Sequence, residues 1–312
     1  FFRKWSCPAS SRAQLASMCK GITAEEMLKK AKEAKAAEEF RIYEGADSVV
    51  ERHYYMMKKN QTVDFVRSMH ERYSFESGKC RARMTVREAF AKLENYVDAS
   101  DPDLHLPNLI HMLQTAEGLR RAGKPDWYQL TGLIHDMGKI MFLWGDESIG
   151  QNGTADGAQW ALGGDTWVVG CRIPEEVKVG NTYPEFAKLN PDMQDPRYNT
   201  KNGMYQEKCG IDNLLFAYGH DEYLYQMLVA NKCPLPKESL DMVRYHSAYT
   251  WHTARCYDHF MKEEDFKTLE LVLDFNKYDL YTKDEDNALD VNELWPYYQG
   301  LIDKYMPGQL LW

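Results

Sequence analysis

The chain has 312 residues, 44% of them hydrophobic and 13% aromatic, which is ample for one large core or two small ones and too apolar for a disordered polymer. A net charge of −9 leaves no basic excess to neutralise phosphates, so nucleic acid is excluded as the expected partner. The seven cysteines are scattered with no CxxC pair, and no apolar run reaches the ~18 residues of a membrane span, so reduced thiols in a soluble, cytoplasmic protein are expected.

Residues 23–39 read as a polar helix opened by a Thr23/Glu26 capping box, a surface or lid helix within an N-terminal extension over 1–39. The remaining residues, 40–312, are expected to form a single catalytic domain. Residues 47–73 read as one longer helix, with Val63, Val66, Met69 and Tyr73 at helical spacing. A third helix begins at Thr85, boxed by Glu88, and places Ala89, Leu93 and Val97 on one face. DASDPDLHLPN, over 98–108, is turn chemistry. Pro107 then suits the first turn of a helix running through Leu109, Met112, Leu113, Ala116 and Leu119. Pro125 opens the next helix, expected to carry LIHDMGK and to run to about Gly138. The stretch 146–210 is rich in Gly, Pro, Asn and Asp, and its strand candidates, TWVVG and VKV, predict a small β-hairpin there. Within it, IGQNGTADGAQWALGGD lacks the strand-to-helix setting of a phosphate-cradling loop and reads as a surface loop. Further helices are expected near 211–231, 237–249, 263–279 and 292–305.

LIHDMGK sets His135, Asp136 and Lys139 in a segment built to be buried, where charge is costly unless something pairs it. A metal is one such partner. Adjacent helical residues point about 100° apart, so His135 and Asp136 do not easily serve one ion as two single ligands. A pair of ions resolves this, with His135 on one and the two oxygens of Asp136 bridging both. His111, in LPNLIHMLQTAEG, and Asp279, in FNKYDLYTK, can complete the first ion; His220, in GHDEYLYQM, and His246, in MVRYHSAYTW, can complete the second. Taken singly, each histidine also fits a satisfied core or surface role. His53, His70, His105, His252 and His259 lie in more polar or irregular stretches and are assigned no chemistry.

The order His…His-Asp…His…Asp resembles the HD-domain superfamily. The longer stretches TAEGLRRAG, LIHDMGKIMFLWG, EFAKLNPDMQDPRY, MQDPRYNTKNGMYQEKCGIDN, GHDEYLYQM, RYHSAYTWH, FNKYDLYTK and YYQGLIDKYMPGQLLW together resemble the myo-inositol oxygenase family, from about Phe40 to Trp312. That resemblance implies a mainly α, single HD-domain-like helical bundle with a di-metal site between its helices. It implies one iron on His111, His135, Asp136 and Asp279, and a second on Asp136, His220 and His246. The resemblance also implies that the pair is Fe(II)/Fe(III), that O2 is the co-substrate, and that the reaction is opening of the myo-inositol ring to D-glucuronate in inositol catabolism. Implied substrate contacts are Arg41, Asp98, Ser100, Lys139, Gly164, Asp165, His246 and Ser247, with Lys139 and Asp136 nearest the chemistry. A Gly/Ala stretch at 150–163 precedes Gly164-Asp165, and Ala99 interrupts the family's acidic turn between Asp98 and Ser100. Lys139 lies one turn beyond His135 and can reach the same cavity, or it can complement a helix end after Gly138. A monomer is expected. The other readings are an HD-type metal-dependent phosphohydrolase, which would turn over without O2, and a non-catalytic helical scaffold.

Overall fold

The structure, a computed structural model, describes residues 48–94, 96, 98, 108–154, 157–175, 181–281 and 289–312. The expected lid helix over 23–39, together with Arg41, Val97, Ser100, Pro107 and the VKV strand candidate, lies outside the described residues.

The architecture is mainly helical. The stretch expected as one helix over 47–73 is two, α1 (Ser48–Asn60) and α2 (Val63–Arg72). The break follows from local chemistry: Thr62 is in extended conformation and its hydroxyl accepts from the Phe65 amide, which starts a new helix instead of continuing the old one. The expected stripe falls on α2, which buries Val63, Val66 and Met69, and on its C-cap Tyr73; α1 buries Tyr54 and Met57. The Thr85/Glu88 capping box is present and opens α3 (Val86–Leu93), which buries Val86, Ala89, Phe90 and Leu93.

Next come α4 (Asn108–Arg121) and α5 (Asp126–Ile134), the pair with the most extensive mutual packing. α5 stops at Ile134, short of the expected Gly138, and a 3-10 segment, Met137–Leu143, takes over. The second half of the chain supplies α6 (His220–Ala230), α7 (Lys237–Tyr245), the single turn α8 (Tyr249–His252), α9 (Asp265–Tyr281) and α10 (Val291–Tyr305). Pro125 and Pro236 stand immediately before α5 and α7, where the missing amide hydrogen costs nothing. α6 packs on both α7 and the 3-10 segment, and α9 packs on α4 and α7. These contacts bring the ends of α5, α6, α7 and α9 and the start of α4 to one place.

The hairpin expected in 146–210 is not found among the described residues there. That region runs as turns and short 3-10 segments, and Val168 of TWVVG makes a lone bridge to Phe216. The two-stranded sheet is elsewhere: β1 (Arg83–Met84) pairs antiparallel with β2 (Leu310–Leu311), Arg83 opposite Leu311. Such a pairing of distant segments leaves no turn signal for sequence to reveal. Buried Trp312 reinforces it, its indole donating to the Met84 carbonyl at 2.9 Å. Among the described residues, no helix is long and apolar enough to cross a membrane.

Candidate metal centre

The six residues singled out as ligands are all buried and their polar atoms converge. His111 sits in the first turn of α4 and Asp279 in the last turn of α9, with His111 Nε2 2.9 Å from Asp279 Oδ1. His135 Nε2 is 3.3 Å from the same oxygen. On the other side His220, the first residue of α6, has Nε2 3.0 Å from Asp136 Oδ1. His246 Nε2 is 2.9 Å from His220 Nε2 and 3.7 Å from Asp136 Oδ1. Asp136 divides its oxygens between the two groups: Oδ2 lies 3.8 Å from both His111 and His135.

Local sequence explains the aim of each ring. The last carbonyls of a helix lack intrahelical partners. His135 caps α5 and its Nδ1 meets the Gly132 carbonyl three residues back at 2.8 Å. His246 caps α7 and does the same to Val243, also at 2.8 Å. His220 Nδ1 meets the Leu162 carbonyl at 2.6 Å. A carbonyl only accepts, so the proton resides on Nδ1 in all three and the Nε2 lone pairs face the centre, the arrangement by which imidazole binds metal. The end of α5 also answers the geometric difficulty of adjacent ligands. His135 is still helical, but Asp136 has φ −94° and ψ −1°, so the backbone turns and both side chains reach the same centre.

Gly138 makes the next contact possible. A Cβ there would fall 1.9 Å from the His220 carbonyl oxygen, so only glycine lets the 3-10 segment lie this close to the start of α6.

Three features fit this donor set to cations. The facing lone pairs of His220 and His246 repel at 2.9 Å unless a positive charge lies between or beside them. The carboxylates of Asp136 and Asp279 are both buried, and the ammonium of Lys139 reaches only the first of them among the described residues, so a cation beside both is favoured. All six donors are nitrogen or oxygen, and two groupings within reach of single ions are His111/His135/Asp279 and His135/Asp136/His246.

The charges respond to one another. Burial pushes the Asp136 carboxyl upward, but Lys139 and His135 outweigh it and hold it well below the ordinary carboxylate range. Asp279 follows the same pattern, with burial opposed by His135 and His111. Burial disfavours charge on His135 too, yet Asp136 and Asp279 raise its pKa overall. Burial prevails for His246, whose pKa falls to about 4.

Lys139 reaches Asp136 Oδ2 at 2.8 Å and Asp98 Oδ2 at 2.7 Å, which ties the expected substrate contact Asp98 to the centre. It also donates to Asn108 Oδ1 at 3.3 Å, a neighbour the sequence reading passed over. Its one available signal was position: Asn108 follows Pro107 and precedes His111 by one turn. Gly164, Asp165 and Ser247 form a second group. The Thr166 amide donates to the Ser247 carbonyl at 2.8 Å, and the Thr182 hydroxyl donates to Asp165 Oδ2. Ser247 follows His246 directly, so this group adjoins the centre through the chain.

Residues 47–312 match the family model described as myo-inositol oxygenase. The chain is 49% identical to an inositol oxygenase of Mus musculus over 261 residues, 83% of this chain and 85% of that relative. It is 48% identical to an inositol oxygenase of Homo sapiens over the same shares. An inositol oxygenase of Dictyostelium discoideum is 42% identical over 281 residues, 89% of this chain and 91% of that relative. A match over nearly the whole described chain, with the paired histidine and aspartate groups lying inside it, places this protein in the myo-inositol oxygenase family and makes it an enzyme of that type.

Proposed function

We propose that the chain opens the ring of myo-inositol with O2 to give D-glucuronate, at a mixed-valent Fe(II)/Fe(III) pair, as a cytoplasmic monomer in inositol catabolism. The balance is one inositol and one O2 to one glucuronic acid and one water, with one oxygen atom entering the product. The observation that carries the reading is the division of Asp136, one oxygen toward His111 and His135 and the other toward His220 and His246. In this reading His111, His135, Asp136 and Asp279 hold one iron, and Asp136, His220 and His246 hold the other. Bound there, the pair supplies Lewis acidity toward a substrate hydroxyl and one-electron chemistry toward O2.

The protein's own part is positioning and exclusion. The Lys139 ammonium has three donor hydrogens, already directed at Asp98, Asp136 and Asn108, and is suited to exchange one of these contacts for a substrate hydroxyl. Neighbouring carboxylates keep that ammonium charged. Asp98 accepts from another hydroxyl, because a neutral polyol is recognised by hydrogen bonds instead of charge. Asp165 and Ser247, with the backbone of Gly164, extend the same set, and Arg41 and Ser100 belong to it by family likeness. Deep burial of the six donors keeps bulk water from the reacting atoms. The described cysteines, Cys80, Cys171, Cys209, Cys233 and Cys256, are not paired in disulfides with one another, and a cytoplasmic setting would keep them as thiols.

The test is oxygen uptake by iron-loaded protein given myo-inositol and a mild reductant, with glucuronate assayed in the same vessel. Equal amounts of O2 consumed and glucuronate formed are expected. Neither product nor uptake, with two irons bound per chain, ends this reading and turns attention to phosphate esters.

A further inference from the structure

His53 lies on α1, a helix that carries none of the candidate ligands, and is only 6% exposed. Neither of its ring nitrogens has a hydrogen-bond partner among the described residues. The Gly163 carbonyl is close enough to bias the ring's charge but is not in hydrogen-bonding geometry. The ring lies against Gly164, whose φ of +99° turns its bare α-carbon toward the imidazole. A Cβ on Gly164 would fall 2.8 Å from His53 Nε2. The carboxylates acting on the ring are those of Asp98 and Asp165. Asp98 is the partner of Lys139, and Asp165 shares its backbone run with Gly164.

As core filler this imidazole is a poor choice. Two unpaired ring nitrogens in a buried setting cost more than an apolar side chain of similar volume. Burial lowers its pKa to about 4 against the opposing pull of Asp98, so the ring is neutral. A neutral imidazole offers one N–H donor and one lone pair. A polyol hydroxyl, which both donates and accepts, can use either.

We propose that His53 is a further substrate-binding residue, hydrogen-bonding one hydroxyl of the polyol beside Asp98 and Asp165 and so contributing to the choice among inositol isomers. The inference rests on the proposed function's placement of the polyol at Lys139. It requires a small adjustment of Gly164 or of the ring when substrate enters, since both nitrogens are covered by protein.

The test is calorimetric titration of iron-loaded enzyme with myo-inositol in the absence of O2, so that binding is read without turnover. His53→Phe removes both hydrogen-bonding atoms and is expected to weaken Kd about tenfold, the usual loss for one neutral hydrogen bond, with iron content unchanged. His53→Gln keeps a donor and an acceptor and is expected to stay within about threefold of wild type. Across monodeoxy-inositols, one analogue should bind wild type and His53→Phe equally, because it lacks the hydroxyl that His53 contacts. A purely structural His53 predicts no change, or the same weakening for every analogue, and either result overturns the proposal. If the Phe variant does not fold, His53→Leu serves for the same comparison. Wild-type enzyme that binds no myo-inositol overturns the functional reading together with this one. Wild-type binding that the apolar variants leave unchanged overturns this one alone.

Discussion

At the scale of single residues, the molecule buries charge in two different ways. Asp136 is surrounded by groups that favour its ionised form, so its cost of burial is met locally. Lys58, on the same helix as His53, is less well provided for. Its ammonium meets one amide oxygen, Asn181 Oδ1 at 2.6 Å, and the Trp167 ring at 4.2 Å from the centroid. Burial lowers its pKa from 10.5 to about 7, with Asp165, Cys256 and Glu185 pulling the other way. Between about pH 7 and pH 10 the unfolded chain therefore binds a proton that the native chain does not, and native stability rises with pH through that window. Lys58→Met removes the effect. The unfolding free energy of wild type minus that of the variant should climb with pH, by up to about 1.4 kcal/mol per pH unit. Denaturant melts of both proteins across the window check this, and a flat difference would show that Lys58 is not desolvated as described.

At the scale of elements, the site is assembled from helix ends. His135 and His246 cap their helices and spend their Nδ1 protons on carbonyls that the helix leaves unsatisfied, which is why a histidine placed there presents Nε2 outward. The 3-10 segment after α5 holds Lys139 and is pressed onto α6 at Gly138. Gly138→Ala sets a methyl 1.9 Å from the His220 carbonyl oxygen, and backbone has to move. The expected result is a loss of about 2–4 kcal/mol in stability and a lower metal content, because the displaced element carries His220. Thermal melts and metal analysis of the purified variant decide it; unchanged stability with full metal content would mean the contact is slack.

At the scale of the whole molecule, the centre joins α4, α9, α7, α6 and the end of α5, elements far apart in the chain. Metal bound there cross-links most of the helical body, and ions that bind only the folded state stabilise it by mass action. Stripping the metal with a chelator is expected to lower Tm by about 4–7 °C, from a linkage of about 3–4 kcal/mol and the usual unfolding entropy of a chain this size. Calorimetry before and after chelation, with restoration on adding iron back, checks both size and reversibility. Equal melting temperatures would detach the centre from the stability of the fold.

Much of this was legible in the amino-acid order because it depends on neighbours in the chain. The Thr85/Glu88 capping box, the proline that opens α5, and the apolar stripe of α2 are local signals, and each operates where it stands. The need of His135 and Asp136 for polar partners was legible for the same reason, since two ionisable groups in an apolar run require partners wherever the chain goes. The break at Thr62 was missed because a continuous apolar stripe outweighed a single capping hydroxyl. Long-range pairing decided the rest. The sheet joins residues 83–84 to 310–311 with no turn between them to announce it, and the hairpin expected in 146–210 has no such pairing among the described residues. His53, unremarkable in a polar stretch of sequence, acquires its meaning only from Gly164, which folding brings against it. The sequence by itself determined which residues could bind cations and, where a capping box or a proline marks it, where a helix begins. Tertiary packing alone decided which oxygens and nitrogens meet, because contact between distant segments is set by the summed fit of buried surfaces and not by any one residue's preference.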